Sequence, residues 1–213
     1  MKIFIDFDDV LFNTKLFYEG IKNVFFENGI SEEIFKKYYK DPEIEKKRGI
    51  IQKYNPYKQI EKIGKIGIET KKLKRDFSNF IKNTSQYIFE DSIEFLEKVK
   101  NEDLYIISYG DRKFQNEKII NSGIAKYFKR ISIAETTKAA AIRKILKDKK
   151  EKEEEALIFI DDRERFLRDI KESYPGMVTF LFSNSLGRYN DEKTSHCDFK
   201  VKNFNEILKI IGF

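Results

Sequence analysis

Five short apolar runs stand out along the chain: Lys2–Ile5, Leu104–Ile107, Arg130–Ile133, Leu157–Ile160 and Val178–Phe182. Most are continuously apolar rather than alternating. A strand that is apolar on both faces is covered on both faces, which is the habit of parallel sheets. Between the later runs the period changes to that of a helix. Asp91–Lys100 carries Ile93, Leu96 and Val99 at helical spacing, and Lys113–Ser122 runs into Gly123, a helix stop. Thr137–Lys147 carries Ala141, Ile145 and Leu146, and Phe204–Ile211 repeats apolar residues at intervals of three and four. Strands alternating with helices predict crossover units and a parallel, Rossmann-like α/β sheet.

The rhythm is interrupted once. Residues 13–87 separate the first run from the remaining α/β pattern and read almost wholly as helix. Leu16, Phe17, Ile21, Val24 and Phe25 form one stripe, Gly29 and Ser31 punctuate it, and Ile34, Phe35 and Tyr38 resume the spacing. Pro42 and Pro56 mark breaks, as do Gly64 and Gly67, before a further helix over Leu73–Ile81. The expected organisation is therefore an α/β core of residues 1–12 and 88–213, interrupted by a separate all-helical module, 13–87. The charge run Lys147–Glu155 reads as a helix end and a solvated loop.

Composition narrows the class. With 40% hydrophobic and 15% aromatic residues among 213, the chain can bury a real core despite 37% charged residues. The longest apolar run, Ala156–Ile160, is far short of a membrane span, and the first strand leads directly into Asp6 with no apolar leader; we expect a soluble, cytoplasmic protein with no membrane partner. One cysteine and one histidine, Cys197 and His196, exclude an internal disulfide and a multi-histidine metal site. A net charge of +6 suits anionic ligands, but 33 lysines against nine arginines describe a solvated surface rather than a nucleic-acid reader. No P-loop, dinucleotide glycine motif or HExxH sequence occurs.

The informative polar residues sit where strands end. Asp6, Asp8 and Asp9 follow the first run, and Asp161 and Asp162 follow the fourth. In an open parallel sheet, ligands bind at the carboxyl ends of the strands, so both groups are expected to converge. Like charges 4 Å apart repel by ~4 kcal/mol at an effective dielectric near 20, a cost that a divalent cation removes. An all-oxygen donor set selects Mg²⁺ over zinc. Ser108 ends the second run and Lys138 opens the helix after the third. A hydroxyl, an ammonium and a metal beside a carboxylate are the requirements of phosphoryl transfer. Asp9 reads as a turn or cap residue. His196 and Cys197, adjacent and so on opposite faces of a strand, read as structural.

DFDDVL at Asp6–Leu11, YIIS ending at Ser108, Lys138, and LIFIDD ending at Asp161 and Asp162 together resemble, in order, the four motifs of the haloacid dehalogenase superfamily. The stretch Gly110–Ile131, with Gln115 and Lys118, is similar to the connection between the second and third strands of members with a helical (C1-type) cap. The resemblance implies that Asp6 is the nucleophile, forming an aspartyl-phosphate, and that Asp8 is the general acid and base. It also implies Mg²⁺ held by Asp6, the Asp8 carbonyl, Asp162 directly and Asp161 directly or through a water, with Ser108 and Lys138 on the phosphoryl oxygens. Dehalogenating relatives lack an acid at the position of Asp8, so a phosphatase acting on a small phosphorylated metabolite or nucleotide is expected. A phosphomutase, or a basic nucleic-acid-binding protein on the same core, is the alternative. Where many relatives carry a further acid, four or five residues after the metal ligand, this chain has Phe166 and Leu167. Tyr54, Tyr57, Lys65 and Lys71 are candidates for a substrate-reading loop.

Overall fold

Alternate residues of each strand pack into two different apolar layers. Ile3, Ile5, Leu104, Ile106, Ile158, Ile160, Phe180 and Phe182 lie in one; Phe4, Tyr105, Ile107, Phe159 and Leu181 lie in the other. Both faces are covered, which explains the unbroken apolar runs. The computed structural model describes residues 1–39, 53–147 and 156–213. Its sheet contains β1 (Lys2–Ile5), β2 (Asp103–Tyr109), β3 (Arg130–Ala134), β4 (Leu157–Asp161), β5 (Val178–Phe182) and β6 (Phe199–Val201), in the order β3-β2-β1-β4-β5-β6 with every pairing parallel. The α/β expectation thus holds. The strand missing from the sequence reading is β6, which has three residues, lies at the sheet edge and leaves Phe199 and Lys200 exposed. It offers no continuous apolar run to recognise.

Helices α5 (Glu90–Lys98), α6 (Arg112–Asn121), α7 (Lys138–Lys147), α8 (Glu164–Ser173) and α9 (Phe204–Ile211) accompany the strands. Among the described residues of the interruption lie four more, α1 (Thr14–Glu27), α2 (Glu32–Tyr39), α3 (Pro56–Lys65) and α4 (Lys71–Phe80). Pro42 and residues 148–155 of the charge run lie outside the described residues. On α1 the buried positions are Thr14, Phe17, Ile21 and Phe25, whereas Leu16 is exposed. On α5 Ile93 is exposed, and Phe95, with Leu96 and Val99, faces inward instead. His196 falls in a turn before β6, not on a strand, and Cys197 is buried beside it. No helix among the described residues is long and apolar enough to cross a membrane.

The helices of residues 14–80 add no strand, but their apolar faces do not form a core of their own. Phe17, Phe25, Phe35, Ile60, Ile63, Leu73 and Phe77 belong to the same cluster as Ile3, Ile5 and Ile160. Phe17 is the junction. Its ring lies 5.1 Å from Phe12, 5.3 Å from Phe80, 5.1 Å from Tyr87 and 6.1 Å from Phe114, so it touches the turn after β1, α4, the segment before α5 and α6. Phe17→Ala is therefore expected to lower the unfolding free energy by ~3–5 kcal/mol. Denaturant melts followed by tyrosine fluorescence and by circular dichroism are expected to keep a single coincident transition in the wild type, because one apolar cluster spans both parts. Two separate transitions in the wild type would contradict that continuity.

Candidate active site

The chain crosses back through the sheet between β3 and β4, so β1 and β4 are neighbours at the point where strand order reverses. Their register pairs Ile5 with Ile160, and the Asp6 amide donates to the Ile160 carbonyl at 2.9 Å. That alignment brings Asp6 to the level of Asp161. Oxygens of Asp6, Asp161 and Asp162 lie within 4.8 Å of one another, and all three residues are buried. Of the first group, Asp6 meets Asp161 and Asp162, while the carboxylates of Asp8 and Asp9 do not join them.

Lys138 lies between them. It is the first residue of α7, where the helix dipole disfavours a cation, yet it is fully buried. Its Nζ donates to Asp161 Oδ2 at 2.5 Å and lies 2.9 Å from Asp6 Oδ2. Those two carboxylates, against the burial that opposes charge, push the Lys138 pKa above its ordinary value. The amides of Phe7 and Arg163 donate to the remaining oxygens of Asp6 and Asp161. Asp162 is different: its Oδ2 is buried with no hydrogen-bond partner. Burial, opposed by Lys138 but joined by Asp161 and Asp8, pushes Asp6 up to about 7. Burial and the neighbouring acids push Asp162 well above the ordinary carboxylate range. Burial also raises Asp161, outweighing Lys138.

The Asp8 side chain stands apart from this trio. Gln115 Nε2 donates to its Oδ2 at 2.6 Å, and Lys118 Nζ and Thr14 Oγ1 donate to its Oδ1 at 2.6 and 2.9 Å. Burial disfavours the Asp8 charge, but the Lys118 and Arg188 charges with these hydrogen bonds prevail and hold it at about 2. The Lys118 ammonium sits 5.2–5.7 Å from the ring centres of Phe114, Phe12, Phe7 and Phe17. Burial in that aromatic cage depresses its pKa, which Asp8 opposes. Gln115 and Lys118 lie three apart on α6, and Asp111 caps that helix by accepting from the Phe114 amide at 3.1 Å.

Ser108 is fully buried, its Oγ accepting from Gln115 Nε2 at 3.0 Å. Neither Ser108 nor Lys138 lines the cavity of about 170 Å³ that opens onto Asp6, Asp8 and Asp162. Asp9 is indeed in a turn, with φ at +60°, but its carboxylate is buried and accepts from Arg188 Nε at 2.7 Å. Of the four candidates for substrate reading, Tyr54 lines the cavity. Tyr57 donates to Glu117 Oε2 at 2.5 Å, away from the lining, and Lys65 and Lys71 are solvent-exposed. Residues of the lining that the sequence reading left unassigned include Thr14, Lys53, Arg163, Arg165, Arg188 and Tyr189. Gln115 and Lys118 stand out in the sequence only within the Gly110–Ile131 stretch that resembles the connection of capped relatives, with no role attached; Arg188 and Tyr189 lie in a loop, where periodicity says nothing.

Residues 3–174 match the family model described as haloacid dehalogenase-like hydrolase. The chain belongs to that family. Solved structures share the hydrolase fold at low identity. One is a candidate haloacid dehalogenase-like hydrolase from Burkholderia xenovorans LB400, 17% identical, covering 98% of this chain and 95% of that one with a TM-score of 0.75. A magnesium-bound candidate hydrolase of the superfamily from Bacillus subtilis is 13% identical over 100% and 98%, with a TM-score of 0.68. A candidate phosphatase from Clostridium difficile is 18% identical over 99% and 97%, with a TM-score of 0.65. No curated protein sequence matches the chain significantly. In this hydrolase, the three buried acids and one ammonium leave two surplus negative charges, the charge that one divalent cation carries. The bare Asp162 oxygen and the all-carboxylate donors fit Mg²⁺.

A pH dependence follows. Between roughly pH 4 and pH 7 the folded chain holds a proton on Asp6 that the unfolded chain has released, so stability falls as pH rises through that window. Without divalent cation, the melting temperature is expected to carry this loss. Added Mg²⁺ is expected to raise it more at pH 8 than at pH 5, because protons compete with the cation for the same oxygens. Melts in EDTA and in Mg²⁺ across that range measure both, and equal stabilisation at the two pH values would contradict the assignment.

Proposed function

We propose that this hydrolase is a Mg²⁺-dependent phosphatase that cleaves a small phosphorylated metabolite through an aspartyl-phosphate on Asp6. The observation that carries this reading is the buried trio of Asp6, Asp161 and Asp162, with Lys138 bridging two of them and one Asp162 oxygen left bare. Asp6, the Asp8 carbonyl and Asp162 would hold the metal. Both Asp161 oxygens are engaged, which supports an orienting role for Asp161, keeping Lys138 in place. When bound, the cation supplies neutralisation of the surplus charge and polarisation of a phosphoryl oxygen.

Asp6 attacks phosphorus, forming one oxygen–phosphorus bond as the ester bond breaks, while Asp8 gives the leaving oxygen a proton. Asp8 then takes a proton from the water that hydrolyses the aspartyl-phosphate, releasing inorganic phosphate and restoring Asp6. A carboxyl held at about 2 is ionised and so open to the second task, though a weak base, and is poorly suited to the first. The negative charge of a phosphoryl group beside Asp8 opposes Lys118 and Arg188, and so raises the affinity of Asp8 for the proton it must donate. Ser108 and Lys138, which lie behind the cavity wall, would reach phosphoryl oxygens only by leaving Gln115 and the Asp6–Asp161 pair, so the positioning of those groups is the role their contacts support. Residues 13–87 act as a helical cap that excludes water from a core of 1–12 and 88–213; Thr14, Phe17, Tyr18 and Tyr54 bring that segment to the cavity wall.

Asp6→Asn is expected to lower phosphate release by on the order of 10⁴-fold or more while circular dichroism is unchanged. It also removes a charge from the crowded trio, so the melting temperature in EDTA is expected to rise. Chelation is expected to abolish turnover in the wild type and Mg²⁺ to restore it. Undiminished phosphate release by Asp6→Asn would refute the proposal.

A further inference from the structure

Beyond the phosphoryl site, the cavity rim carries two guanidiniums fixed by different loops. Arg163, directly after Asp162, donates from Nε to Asp191 Oδ2 at 3.0 Å. Arg188, in the loop after β5, donates from Nε to the buried Asp9 at 2.7 Å. Both pack around Tyr189, with Cζ 3.7 Å and 5.1 Å from its ring centre, and all three residues line the cavity. Among the described residues, no acceptor is bonded to the terminal nitrogens of either arginine. Each is thus held at its inner edge, leaving the outer pair of donors unused. Tethering removes much of the entropy that binding otherwise costs, and a planar fork matches a carboxylate bidentately.

The rim is also cationic after these pairings. Arg165 and Lys53 line the same cavity without a carboxylate partner among the described residues: Arg165 packs on Phe166, and Lys53 donates to the carbonyls of Ala134 and Glu135. Such positive charge on the wall, above an acidic floor that the proposed Mg²⁺ would neutralise, suits a substrate with an anion at each end. The cavity is small. Its 170 Å³ is below the usual range of roughly 300–1,000 Å³ for larger ligands and equals about six waters' share of liquid volume. A phosphoryl group on a short carbon chain matches that volume.

We propose that Arg163 and Arg188 bind a carboxylate at the far end of the substrate, making the enzyme selective for short phosphorylated acids. This rests on the phosphatase reading above. Selectivity would then be set from the core loops after β4 and β5 as well as from the helical segment.

The test compares 3-phosphoglycerate with glycerol 3-phosphate, which differ in that a carboxylate replaces a hydroxymethyl group, in the presence of Mg²⁺. Propane-1,3-diol bisphosphate and a nucleoside monophosphate serve as further arms. The wild type is expected to favour the acid in kcat/KM by roughly 10- to 100-fold, the range of a charged hydrogen-bonded pair. Arg163→Gln and Arg188→Gln are each expected to shrink that ratio about tenfold or more, chiefly through KM for the acid. Arg188→Gln strands the buried Asp9 carboxylate, so Arg188→Lys, which keeps a cation there but loses the fork, is the companion; it too is expected to lose the preference. Turnover of both esters without preference, or a preference that survives in all three variants, overturns the inference and leaves the phosphatase reading intact. Stronger activity on the bisphosphate or the nucleotide overturns the carboxylate assignment. Turnover of no ester overturns the phosphatase reading and this inference with it.

Discussion

Three carboxylates buried at the tips of two adjacent parallel strands are the constraint around which the molecule is organised. A like-charged pair at 4 Å costs ~4 kcal/mol at an effective dielectric near 20, and burial adds the loss of hydration. The parallel register of β1 and β4 leaves no freedom to separate Asp6 from Asp161, because each continues a strand whose hydrogen bonds already fix it. Lys138 is the compensation the chain carries within itself. Its position at the start of α7, against the helix dipole, is intelligible only through the two carboxylates it touches. One ammonium cannot balance three acids, so the raised proton affinity of Asp6 and Asp162 measures what is still missing.

Asp8 belongs to a different electrostatic unit. Lys118 matches its charge, Gln115 and Thr14 fill its remaining directions, and the phenyl rings around Lys118 exclude water. Two carboxylates two residues apart are thereby driven in opposite directions: Asp6 toward holding a proton, Asp8 toward releasing one. Separation of this kind assigns distinct tasks to chemically identical groups. It also couples the helical segment to the site, because Thr14 opens α1 and Phe17, one turn later, joins the apolar cluster under the sheet. Displacement of α1 disturbs the Asp8 clamp and the central aromatic contacts together.

How far the sequence could be read depends on what kind of signal each element carries. Strands β1 to β5 were legible because burial on both faces writes an unbroken apolar run, and Asp6, Asp8, Asp161 and Asp162 because they interrupt such runs where a parallel sheet opens. Lys138 and Ser108 took their meaning from position relative to those strands. By contrast β6, at the edge, has three residues of which the first two, Phe199 and Lys200, face solvent, so it writes no apolar run. The face of α5 was misread because Ile93 and Phe95 both fit a helical period, and only packing against Phe204 chooses between them. Arg163, Arg188 and Tyr189 owe their place to a long-range ion pair and to stacking, which spacing cannot encode. Asp191, from the loop after β5, likewise reaches across the chain, accepting from the Glu164 amide at the start of α8 and from Arg163.

From the core outward the charges alternate in sign: the Lys138 ammonium, then the three carboxylates, then the arginines and Lys53 at the rim. A phosphate ester approaching a net positive chain would be repelled by the bare acidic floor, and a divalent cation there reverses the sign of the field that the phosphoryl group meets. The rim arginines are held by Asp9 and Asp191 rather than by the buried trio, so the two ends of the proposed ligand would be recognised by separate charge pairs. Asp9 is the link between them. It follows Asp8 directly, adopts a left-handed backbone that carries the chain away from the phosphoryl site, and spends its carboxylate on Arg188. Three acidic residues within four positions after one strand therefore sit in three settings: Asp6 in the buried trio beside Lys138, Asp8 in the clamp of Lys118 and Gln115, and Asp9 against Arg188.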